Sequence, residues 1–174
     1  RSATSHMRIF TSGSAPLDAV AHDRFFDQTG HRIVERYGMT ETVMLTSNPL
    51  GGDCRAGSVG PALPGVGVRI RRAKGENANA GERGEVEVRG ANVFKGYFEM
   101  PDKTDEAFTA DGYFKTGDIG SLSDDGYLTL HGRSSDMIIS GGYNVYPREV
   151  ENARLDIEGI NEAVAFGVPH PDFG

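Results

Sequence analysis

Tryptophan is absent from this chain, and a single cysteine, Cys54, stands among its 174 residues. One thiol excludes an intrachain disulfide and fits a reducing compartment, so a cytoplasmic location is expected. Long apolar runs are missing as well. No stretch approaches the ~20 residues that span a bilayer, and the first residues carry no hydrophobic signal region. Positive charge is scarce, with 18 Lys and Arg against 25 Asp and Glu, a net charge of −7. That balance disfavours a protein that tracks nucleic-acid phosphates by counterion release, but leaves room for a small anion held by a local Arg. Nothing matches the phosphate loop G-x-x-x-x-G-K-[ST], and no lysine follows Lys115. Internal repeats and low-complexity tracts are also missing.

Glycine is plentiful, at 24 residues against 8 prolines, which points to tight turns and close backbone approaches rather than a disordered linker. With 37% hydrophobic and 25% charged residues, the composition is globular, enough for one ordinary domain or two small ones. The opening Arg1-Ser2-Ala3-Thr4-Ser5-His6-Met7 reads as an expression scar and is set aside, so that 1–7 falls outside the fold.

Ile9-Phe10-Thr11 is expected to end a buried strand. Ser12-Gly13-Ser14-Ala15-Pro16-Leu17 then opens a helix, with Ser14 as N-cap, Pro16 in the first turn and Gly30 at the end. Leu17, Val20, Ala21 and Phe25 share one face at helical spacing. His31 to Val34 is the next strand, which completes a strand–helix–strand unit of the doubly wound type. Glu35-Arg36-Tyr37-Gly38-Met39-Thr40-Glu41-Thr42 follows as a polar turn before Val43-Met44-Leu45 returns inward. It gathers a cation, a ring, hydroxyls and carboxylates; a plain polar loop is the alternative. Both polar stretches lie at the carboxyl end of the strands, where doubly wound sheets bind ligands.

A loop-rich crossing rich in Gly and Pro follows Asn48-Pro49. Val66, Val68 and Ile70 alternate with polar residues, as do Val86 and Val88, with Lys74–Glu82 joining them. Period-two alternation predicts strands of an antiparallel barrel or curled sheet. A short helix runs from Pro101 through Phe108. Asp111-Gly112 and Asp124-Asp125-Gly126 are turn signals, the second making a hairpin of Ile119–Leu122 and Tyr127–Leu130. Gly132-Arg133-Ser134-Ser135 marks a boundary. Beyond it come Met137-Ile138-Ile139, the turn Ser140-Gly141-Gly142, a helix from Pro147 through Leu155, and Ala163–Val168 as a buried strand. The ~40 residues past the boundary are too few for their own core and read as cut off inside a domain.

Five stretches now stand in a specific order: SGSAPL at Ser12–Leu17, ERYGMTET at Glu35–Thr42, GEVEVRGANVFKGY at Gly84–Tyr97, YFKTGD at Tyr113–Asp118, and GRSSDMIISGGYNVYPREVE at Gly132–Glu151. Together they resemble the adenylate-forming superfamily of acyl-CoA synthetases, aryl-CoA ligases, luciferases and peptide-synthetase adenylation domains. The resemblance covers Arg8 to Gly174 and is greatest to malonyl-CoA synthetases. It implies a mixed α and β fragment: the end of the large α/β subdomain at 8–60, a β-barrel-like subdomain at 61–133, and a truncated α+β lid at 134–174.

The implied chemistry has two steps. A carboxylate attacks the α-phosphate of ATP, and CoA then displaces AMP to leave a thioester. ATP, Mg²⁺ and CoA are the implied cofactors, and a small carboxylic acid is the partner substrate, with no nucleic acid and no membrane. By the resemblance, Gly13, Ser14, Ala15 and Pro16 wall the adenine pocket, and Tyr37 stacks on the base with its hydroxyl left in solvent. Gly38 lets the backbone approach, Thr40 lies near the α-phosphate, and Glu41 is the Mg²⁺ carboxylate. Asp118 takes the ribose hydroxyls, and Arg133 contacts ribose or phosphate. Gly141, Gly142 and Tyr143 face the CoA channel, and Ser135 stands where the family has its lid pivot. Each has a plain alternative: a helix start for the small residues, core packing for Tyr37, a solvated loop for Glu41, a turn cap for Asp118, a salt bridge for Arg133.

Arg36 is the residue expected to select the acid, by pairing with the second carboxylate of malonate or methylmalonate, with Ser14 adding a hydroxyl. Its alternative is an ion pair with Glu35 or Asp53. The family's phosphate loop and its late lysine are not found here, so the chain alone is expected to be inactive. Self-association through an apolar face exposed by truncation is also expected. A ligase for another acid, and a noncatalytic nucleotide-binding or interaction module, stay open.

Overall fold

A computed structural model describes residues 2–73, 75–155 and 157–173; Lys74 of the predicted Lys74–Glu82 connection, Arg1 of the scar and the terminal Gly174 lie outside them. The first unit is strand–helix–strand as expected. β1 (Phe10–Ser12) runs parallel to β2 (Ile33–Met39), with α1 (Ala19–Thr29) between them and Ser12 in register with Glu35. Three details differ. β1 is a half-exposed edge strand, paired only with β2, and Ile9 before it is exposed. The N-cap is Asp18, whose carboxylate accepts from the backbone N–H groups of Val20 and Ala21 at 3.3 Å each. A carboxylate satisfies both orphan donors and complements the helix dipole, which one Ser hydroxyl cannot do. Ser14 sits upstream in a turn with φ 68°. The helix buries His22, not Val20 or Ala21, because its Nε2 lies 3.2 Å from the Ile33 carbonyl oxygen. Gly30 ends the helix in the left-handed region, as expected.

The stretch expected as a polar turn is mostly strand. β2 continues to Met39, the turn is Thr40-Glu41-Thr42, and β3 (Val43–Ser47) returns antiparallel. A bulge falls between Tyr37 and Gly38, which increases the local twist and re-aims side chains. A Cβ on Gly38 would lie 1.8 Å from the Val43 carbonyl oxygen, so no side chain fits.

The alternating segments form an antiparallel sheet of β4 (Gly67–Arg71), β5 (Gly84–Arg89), β6 (Phe114–Leu122) and β7 (Leu128–Arg133), in that order, with α2 (Pro101–Ala107) preceding β6. Ile70, Val86, Val88, Phe114 and Leu128 pack into one core with Tyr37 and Leu45 of the β2–β3 hairpin. The crossing segment joins the hairpin to this sheet. Val59 N–H bonds to the Leu128 carbonyl at 2.9 Å, Leu128 N–H to Gly60 at 3.1 Å, and Leu63 N–H to Leu45 at 2.9 Å. The enclosure is barrel-like, completed by the crossing segment rather than by pairing of β4 with β7.

Past a short turn at Ser134–Asp136 come β8 (Ile138–Ser140), β9 (Tyr143–Val145) and α3 (Pro147–Leu155). The strand expected at Ala163–Val168 does not form. Among the described residues the segment makes no strand pairing; its Ala165 N–H donates to a side chain, Glu151 Oε1, at 3.1 Å, and Val164, Phe166 and Val168 are exposed. A strand needs a neighbour to take its ladder bonds, and β8 and β9 pair only with each other. None of the described residues from 134 to 173 is buried. No described helix is long and apolar enough to cross a membrane.

Candidate functional site

Tyr37, just before the bulge in β2, is buried and meets β6. Its hydroxyl donates to Asp118 Oδ2, and Arg133 Nε lies 3.0 Å from Asp118 Oδ1. Asp118 and Arg133 are register partners across β6 and β7, which is why the ion pair forms. Thr116 steadies the group: its hydroxyl donates to the Val86 carbonyl at 2.8 Å and accepts from Asp118 N–H at 3.1 Å. Tyr37 is therefore not left with its hydroxyl in solvent. Burial, with the Asp118 carboxylate beside it, holds the phenol far above its ordinary range. Burial likewise pushes the Asp118 carboxyl up, opposed by the Tyr37 hydrogen bond and the Arg133 charge. A carboxylate has about four lone-pair positions, so two contacts leave acceptor capacity for the hydroxyls of a ligand.

The turn at the end of β2 presents Thr40, exposed, and Glu41, half-buried. A neighbouring segment braces it from outside. Phe94 N–H bonds to the Glu41 carbonyl at 2.7 Å, Asn92 Nδ2 bonds to the Thr42 and Met44 carbonyls at 2.7 and 3.0 Å, and Tyr97 Oη donates to Glu41 Oε1 at 3.2 Å. Asn92 and Tyr97 belong to the GANVFKGY stretch, where the signal for this bracing is two hydrogen-bonding side chains within six positions. Among the described residues no group of three His, Cys, Asp or Glu gathers as a metal cage. One carboxylate and an adjacent hydroxyl are hard oxygen donors. They fit Mg²⁺, which keeps several waters and takes its other ligands from phosphate.

Gly13 adjoins the outward side of β2. A Cβ there would lie 3.2 Å from the Arg36 carbonyl oxygen, 3.5 Å from its Cγ and 3.8 Å from its Nε, so the Arg36 side chain runs over this glycine. Ser14, Ala15 and Pro16 are exposed beside it. Arg36 is exposed, and among the described residues its side chain makes no hydrogen bond or ion pair. The alternative partners are engaged elsewhere. Glu35 is buried and accepts from Gly57 N–H at 3.1 Å, while Asp53 pairs with Arg55 at 2.6 Å. Alternation along β2 sends Glu35 and Tyr37 inward and Arg36 outward.

The remaining candidates stand apart. Gly141, Gly142 and Tyr143 are exposed at the β8–β9 turn, with φ 57° and 83° at the two glycines. The Ser135 hydroxyl donates to its neighbour Asp136 at 2.9 Å. Among the described residues, no hydrogen bond or ion pair links them to Tyr37, Glu41 or Asp118.

Residues 1–98 match the family described as AMP-binding enzyme. Over 173 residues the chain is 42% identical to a malonate–CoA ligase of Arabidopsis thaliana, covering 99% of this chain and 28% of that protein. A sulfoacetate–CoA ligase of Cupriavidus necator is 41% identical over 174 residues, covering 99% and 34%. Among solved structures, ATP-bound MatB from Rhodopseudomonas palustris superposes with a TM-score of 0.96 at 50% identity, covering 99% of this chain and 35% of that one. The chain thus spans about a third of the length of the relatives it matches.

Proposed function

We propose, from the premise that this chain belongs to the AMP-binding enzyme family, that it is part of an ATP-dependent acid–CoA ligase acting on a small dianionic acid. The ligase class rests on the family and on relatives that are CoA ligases. In this reading residues 8–60 end the large α/β subdomain, 61–133 are the barrel-like subdomain and 134–174 begin the lid.

The residues divide the work as follows. Gly13 to Pro16 and the Tyr37–Gly38 bulge border the base, and Asp118, held by Tyr37 and Arg133, takes the ribose hydroxyls. Thr40 lies toward the α-phosphate. Glu41, with Thr40 beside it, would hold Mg²⁺, which when bound offsets charge on the phosphate oxygens. The first step brings two anions together, so orientation and positive charge supply most of the acceleration. Gly141, Gly142 and Tyr143 face CoA once the lid turns about Ser135. This chain alone lacks lysine beyond Lys115 and is proposed to be inactive by itself.

One observation carries the substrate: among the described residues the Arg36 side chain has no hydrogen-bond or ion-pair partner, and it lies across Gly13. Malonate and sulfoacetate each place a second anion one methylene away from the carboxylate to be activated. A free guanidinium with Ser14 nearby suits that second anion, while a monocarboxylate would leave the cation unanswered. The test is a panel of malonate, methylmalonate, sulfoacetate and acetate on the full-length protein. Dianions are expected to be turned over. Arg36→Ala is expected to lower their kcat/KM by about 10- to 100-fold, as for loss of a charged hydrogen bond, with ATP affinity unchanged. Unaltered malonate turnover in that variant would sink the reading of Arg36.

A further inference from the structure

Glu41 does not reach its position through its own strand alone. Three residues of the segment from Asn92 to Tyr97 bond the turn: Asn92 to Thr42, Phe94 to the Glu41 backbone and Tyr97 to the Glu41 side chain. Tyr97 itself is fixed on several sides. Its ring meets Phe94 edge-on at 4.9 Å, Lys103 Nζ lies 4.6 Å from its centroid, and its backbone N–H donates to the Thr104 hydroxyl at 2.9 Å. Gly96 makes that approach close, because a Cβ there would lie 2.6 Å from Thr104 Cγ2. A ring held this way directs its hydroxyl to one place, and that place is Glu41 Oε1.

We propose that Tyr97 is a positioning residue that holds one oxygen of Glu41 so that the other is presented to the nucleotide-bound divalent cation. The proposal rests on the reading of Glu41 as the metal carboxylate. A glutamate on a turn loses side-chain freedom when it takes a ligand; a bond already made to one oxygen removes part of that loss beforehand. The phenol acts through Glu41 and touches no reacting atom.

The test measures ATP affinity by calorimetry on the full-length protein, with Mg²⁺ and again in EDTA. The ratio isolates the cation's share of binding and does not depend on turnover. In the unsubstituted protein Mg²⁺ is expected to strengthen binding. Glu41→Gln is expected to remove most of that gain, and Tyr97→Phe to reduce it about three- to tenfold, the range for one hydrogen bond. Affinity in EDTA is expected to stay the same in both. If Glu41→Gln keeps the full gain, Glu41 is not the metal carboxylate and that reading falls first. If Glu41→Gln loses the gain but Tyr97→Phe keeps it, the positioning role alone is overturned. Equal weakening by Tyr97→Phe with and without Mg²⁺ marks a packing role and also overturns it. Should Tyr97→Phe not fold, Tyr97→His, which keeps a ring donor, decides: a retained gain supports the proposal and a lost one refutes it.

Discussion

Alternating residues in β2 face opposite ways, and their burial follows from partners far along the chain. Glu35 is buried against the Gly57 N–H, Tyr37 against Asp118, and Arg36 stays out. This is why the sequence reads as a polar turn there: polar residues are buried only because distant groups satisfy them. The residue types were legible; the contacts that make Tyr37 and Asp118 one group were not, since β2 and β6 meet only in the folded chain. Glu35 gives a pH prediction. Burial raises its carboxyl above the ordinary 4.5, opposed by the Gly57 N–H and by His22. The folded state therefore holds this proton more tightly than the unfolded one. Stability from this group is complete below the unfolded value and is lost as pH rises through the folded one. Glu35→Gln keeps an acceptor for Gly57 and removes the charge. It should melt higher than the parent at neutral pH, with the two melting curves converging as pH falls toward about 4.5. Equal melting temperatures at neutral pH would contradict the assignment.

Elements with strong local signals came through from sequence: α1 with its Gly30 stop, the hairpin at Asp124-Asp125-Gly126, the short helix after Met100, and α3 from Pro147. The misreadings occurred where local pattern competes with neighbours. Ser14 and Asp18 are both capping types, and the better placed acceptor won. Ala163–Val168 has the apolar content of a strand but no strand beside it. The same shortage sets the stability of the C-terminal elements. None of the described residues from 134 to 173 is buried, and α3 reaches the main sheet through an Arg83–Glu149 ion pair between half-exposed side chains. An exposed pair of this kind contributes little. Hydrogen exchange on this chain should show amides of β8, β9 and α3 exchanging well before those of β5 and β6. Matching protection in both regions would mean the C-terminal elements are held by something stronger than these contacts.

At the scale of the whole molecule, one core is shared by the β2–β3 hairpin and the four-stranded sheet, and the Ser58–Leu63 crossing ties them backbone to backbone. Tyr37, Gly38, Thr40, Glu41, Asp118 and Arg133 lie on that joined body, Gly13 to Pro16 lie on the loop between β1 and α1, and the CoA-side candidates lie outside both. Catalysis of this class relies on positive charge at the phosphate, and the sequence carries no lysine beyond Lys115. Purified 174-residue chain is accordingly expected to release no pyrophosphate from ATP with malonate present; release above a no-enzyme control would overturn the proposal that it is inactive alone. The hydroxyl contact between Tyr37 and Asp118 has an optical consequence. With no tryptophan, all near-ultraviolet emission from the six tyrosines goes unmasked. A phenol pressed against a carboxylate emits differently from one in water, so a ligand that draws Asp118 away would announce itself in the protein's own light, without a dye.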